Sequence, residues 1–174
     1  MIGIVLVMQE NLGVALRDTL EHVVGTQERL ATVSVSAEDD LVARRQELEA
    51  RVEELNDGDG VMLVTDMFGS TPSNLAVAML DPGRIEVLGG ANLPMLVKLV
   101  QMRDLHTLAE CATAAEQAAH KYISQASHLP AQCLDGARRC SQSAASDKVH
   151  VFPSRPEPFP SLMTPTTETK AAIG

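Results

Sequence analysis

Residues 61–76 read VMLVTDMFGSTPSNLA, and the fold follows from how this stretch is parsed. The apolar run Val61, Met62, Leu63, Val64 is too short for a helix and stops at Asp66. The chain then passes through Phe68-Gly69-Ser70 and restarts at Thr71-Pro72 with helix-start residues. A strand, a tight loop and a new helix are the expected result. Thr71 is the expected N-cap, Pro72 suits the first helical position because its missing N–H would have no partner there, and Gly69 permits the sharp turn. Free N–H groups are expected around Ser73 and Asn74, where the positive end of the helix dipole favours an anion. Ser70, Thr71, Ser73 and Asn74 can add side-chain hydrogen bonds, and Asp66 stands beside them at the carboxyl end of a strand, where open α/β sheets bind ligands. Local chemistry serves equally well for a capped turn that binds nothing.

Moving outward, residues 2–7 form another β-branched apolar run that reads as a strand buried on both faces. Leu12, Leu16, Leu20 and Val23 follow at helical spacing, with Asn11 as the expected cap and Gly25 as the stop. Ala31, Val33 and Val35 alternate with polar residues as a second strand. Ser36 and Asp39 have capping-box-like spacing ahead of a helix with the stripe Leu41, Leu48, Val52 and Leu55. Residues 56–60 return the chain to the central strand. Asp81-Pro82-Gly83 is a turn, Ile85, Val87 and Leu88 a fourth strand ending at Gly89-Gly90, and Asn92-Leu93-Pro94 a helix start. Asp104 is the expected cap of a last helix with the stripe Leu105, Leu108, Ala112, Ala115, Ala119, Tyr122 and Ala126. Alternating strands and helices imply an α/β fold, doubly wound, with a mainly parallel sheet of about four strands and helices on both faces. The strand ends Gln9, Asp66 and Gly89 then gather along one rim, the expected site.

The whole chain has 174 residues, 45% of them hydrophobic, with no Trp, one Tyr and three Phe, so the core must be aliphatic. A formal charge of -9, without a basic, aromatic-interleaved patch, argues against nucleic acid as a partner. The opening MIGIVLV has the marks of neither a signal peptide nor a membrane span, pointing to a cytoplasmic protein with no membrane insertion. Cys111, Cys133 and Cys140 match no zinc spacing and read as free thiols, so no metal or other cofactor is expected. Composition changes near His128: residues 129–174 hold six of the nine prolines and no helical stripe, and read as a Pro/Ser/Thr-rich, largely disordered tail after a domain at 1–128. Within the tail, Lys148-Val149-His150-Val151-Phe152 alternates like a short strand that could add to a sheet edge.

Four stretches resemble the enzyme IIA domain of the mannose family of the bacterial phosphoenolpyruvate-dependent sugar phosphotransferase system: MIGIVLV with a helix beginning NLGVAL, EHVVGTQ, TDMFGSTPSNLA and GGANLPMLVKL. The resemblance covers residues 1–127. It implies an α/β phosphoryl carrier in which a histidine after the first strand accepts a phosphoryl group from the carrier protein HPr and passes it to a IIB domain. It also implies that Asp66 is the carboxylate orienting that histidine and that Gly69, Ser70, Thr71, Ser73 and Asn74 cradle the phosphate. Members often form homodimers.

Where the family has Thr-His-Gly, this chain has Met8, Gln9 and Glu10. An amide nitrogen offers no nucleophilic lone pair, so Gln9 in the acceptor position cannot become a phosphoramidate. Glu10 is expected to set a bulky, repelling carboxylate where glycine would admit a phosphate. A phosphotransfer-dead regulatory module that still docks HPr or a IIB partner is the first reading. An active carrier using another nucleophile is the alternative, but His22, His106, His120 and His128 are expected away from the rim and His150 in the tail. A further alternative, receiver-like phosphorylation of Asp66, needs an acidic pair after the first strand and a fifth-strand lysine. Only Glu10 and no clear lysine are available. A small-anion binding module at the helix beginning near Thr71 completes the set.

Overall fold

A computed structural model describes residues 1–129, residue 131 and residues 133–135. It divides into the unit Met1–Gln125 and a second unit, Ala126–Gly174, whose described part holds a short 3-10 turn at Ala126–His128. The expected strand at residues 148–152 and His150 lie outside the described residues.

In the first unit the elements run β1 (Gly3–Gln9), α1 (Leu12–Val24), β2 (Leu30–Val35), α2 (Leu41–Leu55), β3 (Val61–Thr65), α3 (Thr71–Val77), β4 (Ile85–Leu88), α4 (Leu93–Met102) and α5 (Leu108–Lys121). The strands form one sheet in the order β2-β1-β3-β4, and every neighbouring pair is parallel. Side-chain alternation along the strands splits the interior into two cores. Ile4, Leu6 and Met8 of β1 with Met62 and Val64 of β3 face Leu20, Leu96, Leu99, Cys111, Ala115 and Ala119 of α1, α4 and α5. Val5, Val7, Val33, Val35, Leu63 and Val87 face Leu48, Val52 and Ala76 of α2 and α3. The doubly wound, parallel architecture expected from the sequence is the one observed.

Several helix starts and faces differ from expectation. Helix α5 is capped by Thr107, not Asp104. The Thr107 hydroxyl accepts from the Glu110 N–H while the Glu110 carboxylate accepts from the Thr107 N–H, a complete capping box. Leu105 therefore precedes the helix and is exposed, and Tyr122 and Ala126 follow its end. Asp40 caps α2 through the Val42 N–H, while Asp39 closes a turn on the Ser36 N–H and Leu41 points outward. Asn11 makes no side-chain cap bond, and α1 turns Gly13 and Leu20 inward while Leu12 and Val23 are exposed. Asn92 caps α4 as expected, accepting from the Met95 N–H.

Candidate functional site

Because the strands are parallel, their carboxyl ends share one rim, and the first four residues to meet there do so through Asp66. Strand β3 ends at Thr65, so the next side chain stands where the sheet gives way to the loop before α3. Asp66 Oδ1 accepts from the Met67 N–H at 2.7 Å, the Ser70 hydroxyl at 2.7 Å and the Thr65 hydroxyl at 3.2 Å. Asp66 Oδ2 accepts from the Gln9 backbone N–H at 3.1 Å, which ties the end of β1 to the loop after β3. Burial works to raise the Asp66 pKa, but the bonds from Ser70, Met67, Gln9 and Thr65 together hold it below the ordinary carboxylate value. Asp66 is thus an ionised, four-times-bonded carboxylate. On the far side of β3, the Gly90 N–H donates to the Asp66 carbonyl oxygen and the Ala91 N–H to that of Thr65, so the third strand end joins the same rim.

Ser70, not Thr71, is the N-cap of α3. Its hydroxyl accepts from the Ser73 N–H at 3.2 Å while donating to Asp66. Thr71 becomes the first helical residue, with Pro72 beside it in the opening turn. The expected free N–H groups at Ser73 and Asn74 are not free, because the Asn74 N–H donates to the Ser70 carbonyl. The Ser73 hydroxyl in turn accepts from the Gly69 N–H at 3.2 Å, and Gly69 adopts φ 93°, the left-handed region that the turn requires. The five residues expected as a cradle are therefore together, with much of their hydrogen-bonding capacity used to shape the loop.

Glu10 also departs from expectation. It has φ 48°, a conformation that glycine adopts without strain, and its N–H donates to the Val35 carbonyl at 3.2 Å. Its carboxylate accepts from the Ser36 hydroxyl at 3.0 Å, so it leans toward the end of β2. Asp66, immediately after β3, lies on the opposite flank of β1.

Exposed apolar side chains follow both carboxylates closely in the chain. Met67 and Phe68 are 60% and 61% exposed, and Leu12 is 45% exposed. The Phe68 ring lies so close over Gly89 that a Cβ there would sit 2.7 Å from it. Phe68, Gly89 and Gly90 also border a groove of about 620 Å³ between β4 and α5, whose other wall includes Glu116 and His120. His120 thus lines the same groove as Gly89, while neither Gln9 nor Asp66 borders it. Three residues of the rim carry little signal in the sequence: Thr65 stands between the apolar run and Asp66, Ser36 has the spacing of a helix cap, and Phe68 lies in the loop. Among the described residues no group of His, Cys, Asp and Glu is placed to hold a metal ion.

A family model described as "PTS system fructose IIA component" matches residues 3–116, the span that builds this sheet and rim. The chain belongs to the EIIA-man family. The mannose-specific EIIAB component of the phosphotransferase system from Escherichia coli K12 is 29% identical over 90 residues, which are 51% of this chain and 28% of that protein. The chain thus matches about a quarter of the length of that curated relative. Among solved structures, a phosphotransferase system component EIIA from Streptococcus agalactiae shares 26% identity with a TM-score of 0.68, covering 74% of this chain and all of that one. A PTS IIA protein associated with a fucose utilization operon in Streptococcus pneumoniae shares 27% identity with a TM-score of 0.59, covering 66% of this chain and 88% of that one. This EIIA-man chain is accordingly a component of the mannose/fructose EIIA class, and among its described residues no helix is long and apolar enough to cross a membrane.

Proposed function

We propose that this EIIA-man chain is a phosphotransfer-silent regulatory module of the sugar phosphotransferase system, acting in the cytoplasm by docking an HPr-like carrier or a IIB-type protein. One observation carries the reading: Gln9 occupies the end of β1 with its backbone N–H on Asp66 Oδ2, where the family's accepting histidine would stand. The amide side chain cannot take a phosphoryl group, yet Asp66, Gly69, Ser70, Thr71, Ser73 and Asn74 keep an ordered loop beside it. The exposed Leu12, Met67 and Phe68 supply an apolar surface around that loop for a protein partner. Receiver-like phosphorylation of Asp66 is disfavoured by the four donors already bonded to its two oxygens.

Phosphoryl transfer from labelled phosphoenolpyruvate through Enzyme I and HPr tests the proposal, run on the natural chain beside a Gln9→His, Glu10→Gly variant. Label on the variant alone is the expected result. Label on the natural chain would defeat it, and mapping would then distinguish His120, which shares the groove with Phe68, from Asp66.

A further inference from the structure

Two of the three residues that depart from the Thr-His-Gly pattern have separate structural fates, and the difference bears on what keeps the site silent. The inference rests on the reading that position 9 is the acceptor position. At Glu10 the backbone takes φ 48°, so the chain path suited to glycine is preserved despite the side chain. The carboxylate is tied by the Ser36 hydroxyl at 3.0 Å, one residue beyond the end of β2. Since β1 lies between β2 and β3, this tie draws the Glu10 charge to one flank while Asp66 and the α3 loop stand on the other. Backbone bonds support the same placement: the Glu10 N–H is held by Val35, and the Ser36 N–H by Asp39 Oδ2 at 2.8 Å. Ser36 is therefore itself anchored and able to hold its partner.

We infer that Ser36 is a positioning residue that parks the Glu10 carboxylate away from the acceptor position, so that the identity of Gln9 alone silences the site. A single Gln9→His substitution then suffices for phosphorylation. In that variant an unprotonated ring nitrogen attacks the phosphorus of the phosphohistidine on HPr with its lone pair. A new N–P bond forms as the donor's N–P bond breaks, and the donor imidazole keeps that electron pair. The two imidazoles exchange roles, so no oxidant or further reactant is needed beyond the phosphoenolpyruvate and Enzyme I that recharge HPr. Asp66 Oδ2, which accepts one N–H where Oδ1 accepts three groups, has the spare capacity to receive the other ring N–H.

The test measures initial rates of labelling for Gln9→His, alone and combined with Glu10→Gly, Ser36→Ala or Ser36→Thr. Gln9→His is expected to label within about twofold of the Gln9→His, Glu10→Gly variant. Ser36→Ala, which frees the carboxylate by removing a hydrogen bond to a charged group, should slow Gln9→His roughly tenfold, while Ser36→Thr should not. With Gly at position 10, Ser36→Ala should have no effect, a coupling that general loss of structure would not produce. If Gln9→His stays unlabelled while the double variant labels, Glu10 blocks from where it sits and the inference fails, although the functional reading stands. An equal Ser36→Ala effect in both backgrounds overturns the positioning role. If neither variant labels while both keep the native circular dichroism spectrum, position 9 is not an acceptor position and both readings fall.

Discussion

Replacing Asp66 with Asn keeps the shape of the side chain but removes half of its acceptor capacity, and the outcome follows from the four donors around it. The lower-cost amide orientation puts oxygen in place of Oδ1, where it can still meet Met67, Ser70 and Thr65. The NH₂ group then faces the Gln9 N–H, donor against donor, at a separation that is 3.1 Å in the native chain. Hydrogen bonds to a charged acceptor contribute about 1.5–3 kcal/mol each when buried and neutral ones about 0.5–1.5. Water reaches this partly exposed position, so the sum is reduced, and Asp66→Asn is expected to destabilise the first unit by about 2 kcal/mol. For a unit of this size that corresponds to a fall in Tm of roughly 6–8 °C. Urea unfolding followed by far-ultraviolet circular dichroism is the suitable assay, since the chain has no Trp. The folded-state pKa of Asp66 lies below its ordinary value of 3.8, so its contribution is fully present above 3.8 and is lost as pH falls through the lower folded value. The stability gap between native and variant chains should therefore be constant from neutral pH down to about 5 and close in strong acid. A gap of the same size at both extremes, or none at neutral pH, would refute the argument that an ionised Asp66 ties β1 to the α3 loop.

Two further substitutions probe the frame that positions the rim. A Cβ on Gly3 would lie 2.8 Å from both the Cβ and the carbonyl oxygen of Leu55, where backbone must move, so Gly3→Ala should cost about 2 kcal/mol or more. A calorimetric Tm equal to that of the native chain would contradict this close approach of β1 to the end of α2. Arg103, 5% exposed, donates to the Glu28 carbonyl at 2.7 Å, Gln27 Oε1 at 3.1 Å and the Arg29 carbonyl at 3.4 Å, closing the loop before β2 onto the end of α4. Arg103→Met retains apolar bulk but leaves these acceptors without their cation and should cost about 3 kcal/mol in denaturant unfolding. A loss below about 0.5 kcal/mol would mean that the loop finds other partners.

The parallel sheet was legible because its evidence is local and repeated: apolar runs at residues 2–7 and 61–64, alternation at 31–35, and a turn or cap between each pair of elements. The gathering of Gln9, Asp66 and Gly89 on one rim followed from parallel strands alone, since their carboxyl ends cannot be elsewhere. Where expectation failed, two local solutions of similar quality competed for the same element. Leu12 and Gly13 both fit an inward helical face. Gly13 is buried against β1, where a Cβ would make ordinary contact with Leu6 at 3.5 Å, while Leu12 is exposed. Asp104 and Thr107 are both good caps, but only Thr107 has Glu110 three residues later, and starting there buries Leu108 and Cys111 instead of Leu105.

Glu10 shows the same limit in functional terms. Read from neighbours in sequence, its charge belongs beside Gln9 and repels phosphate. The residue that decides its direction, Ser36, is 26 positions away and becomes a neighbour only when β2 pairs with β1 and brings Val35 opposite Gln9. Local sequence could therefore place both carboxylates at the rim, but it could not place them on different flanks of β1. That separation requires the strand order, because Asp66 arrives with β3 on one side and Ser36 with β2 on the other. The end of β1 thus presents an amide side chain at Gln9, inside a frame in which the backbone at residue 10 is glycine-like and Asp66 is held by four donors.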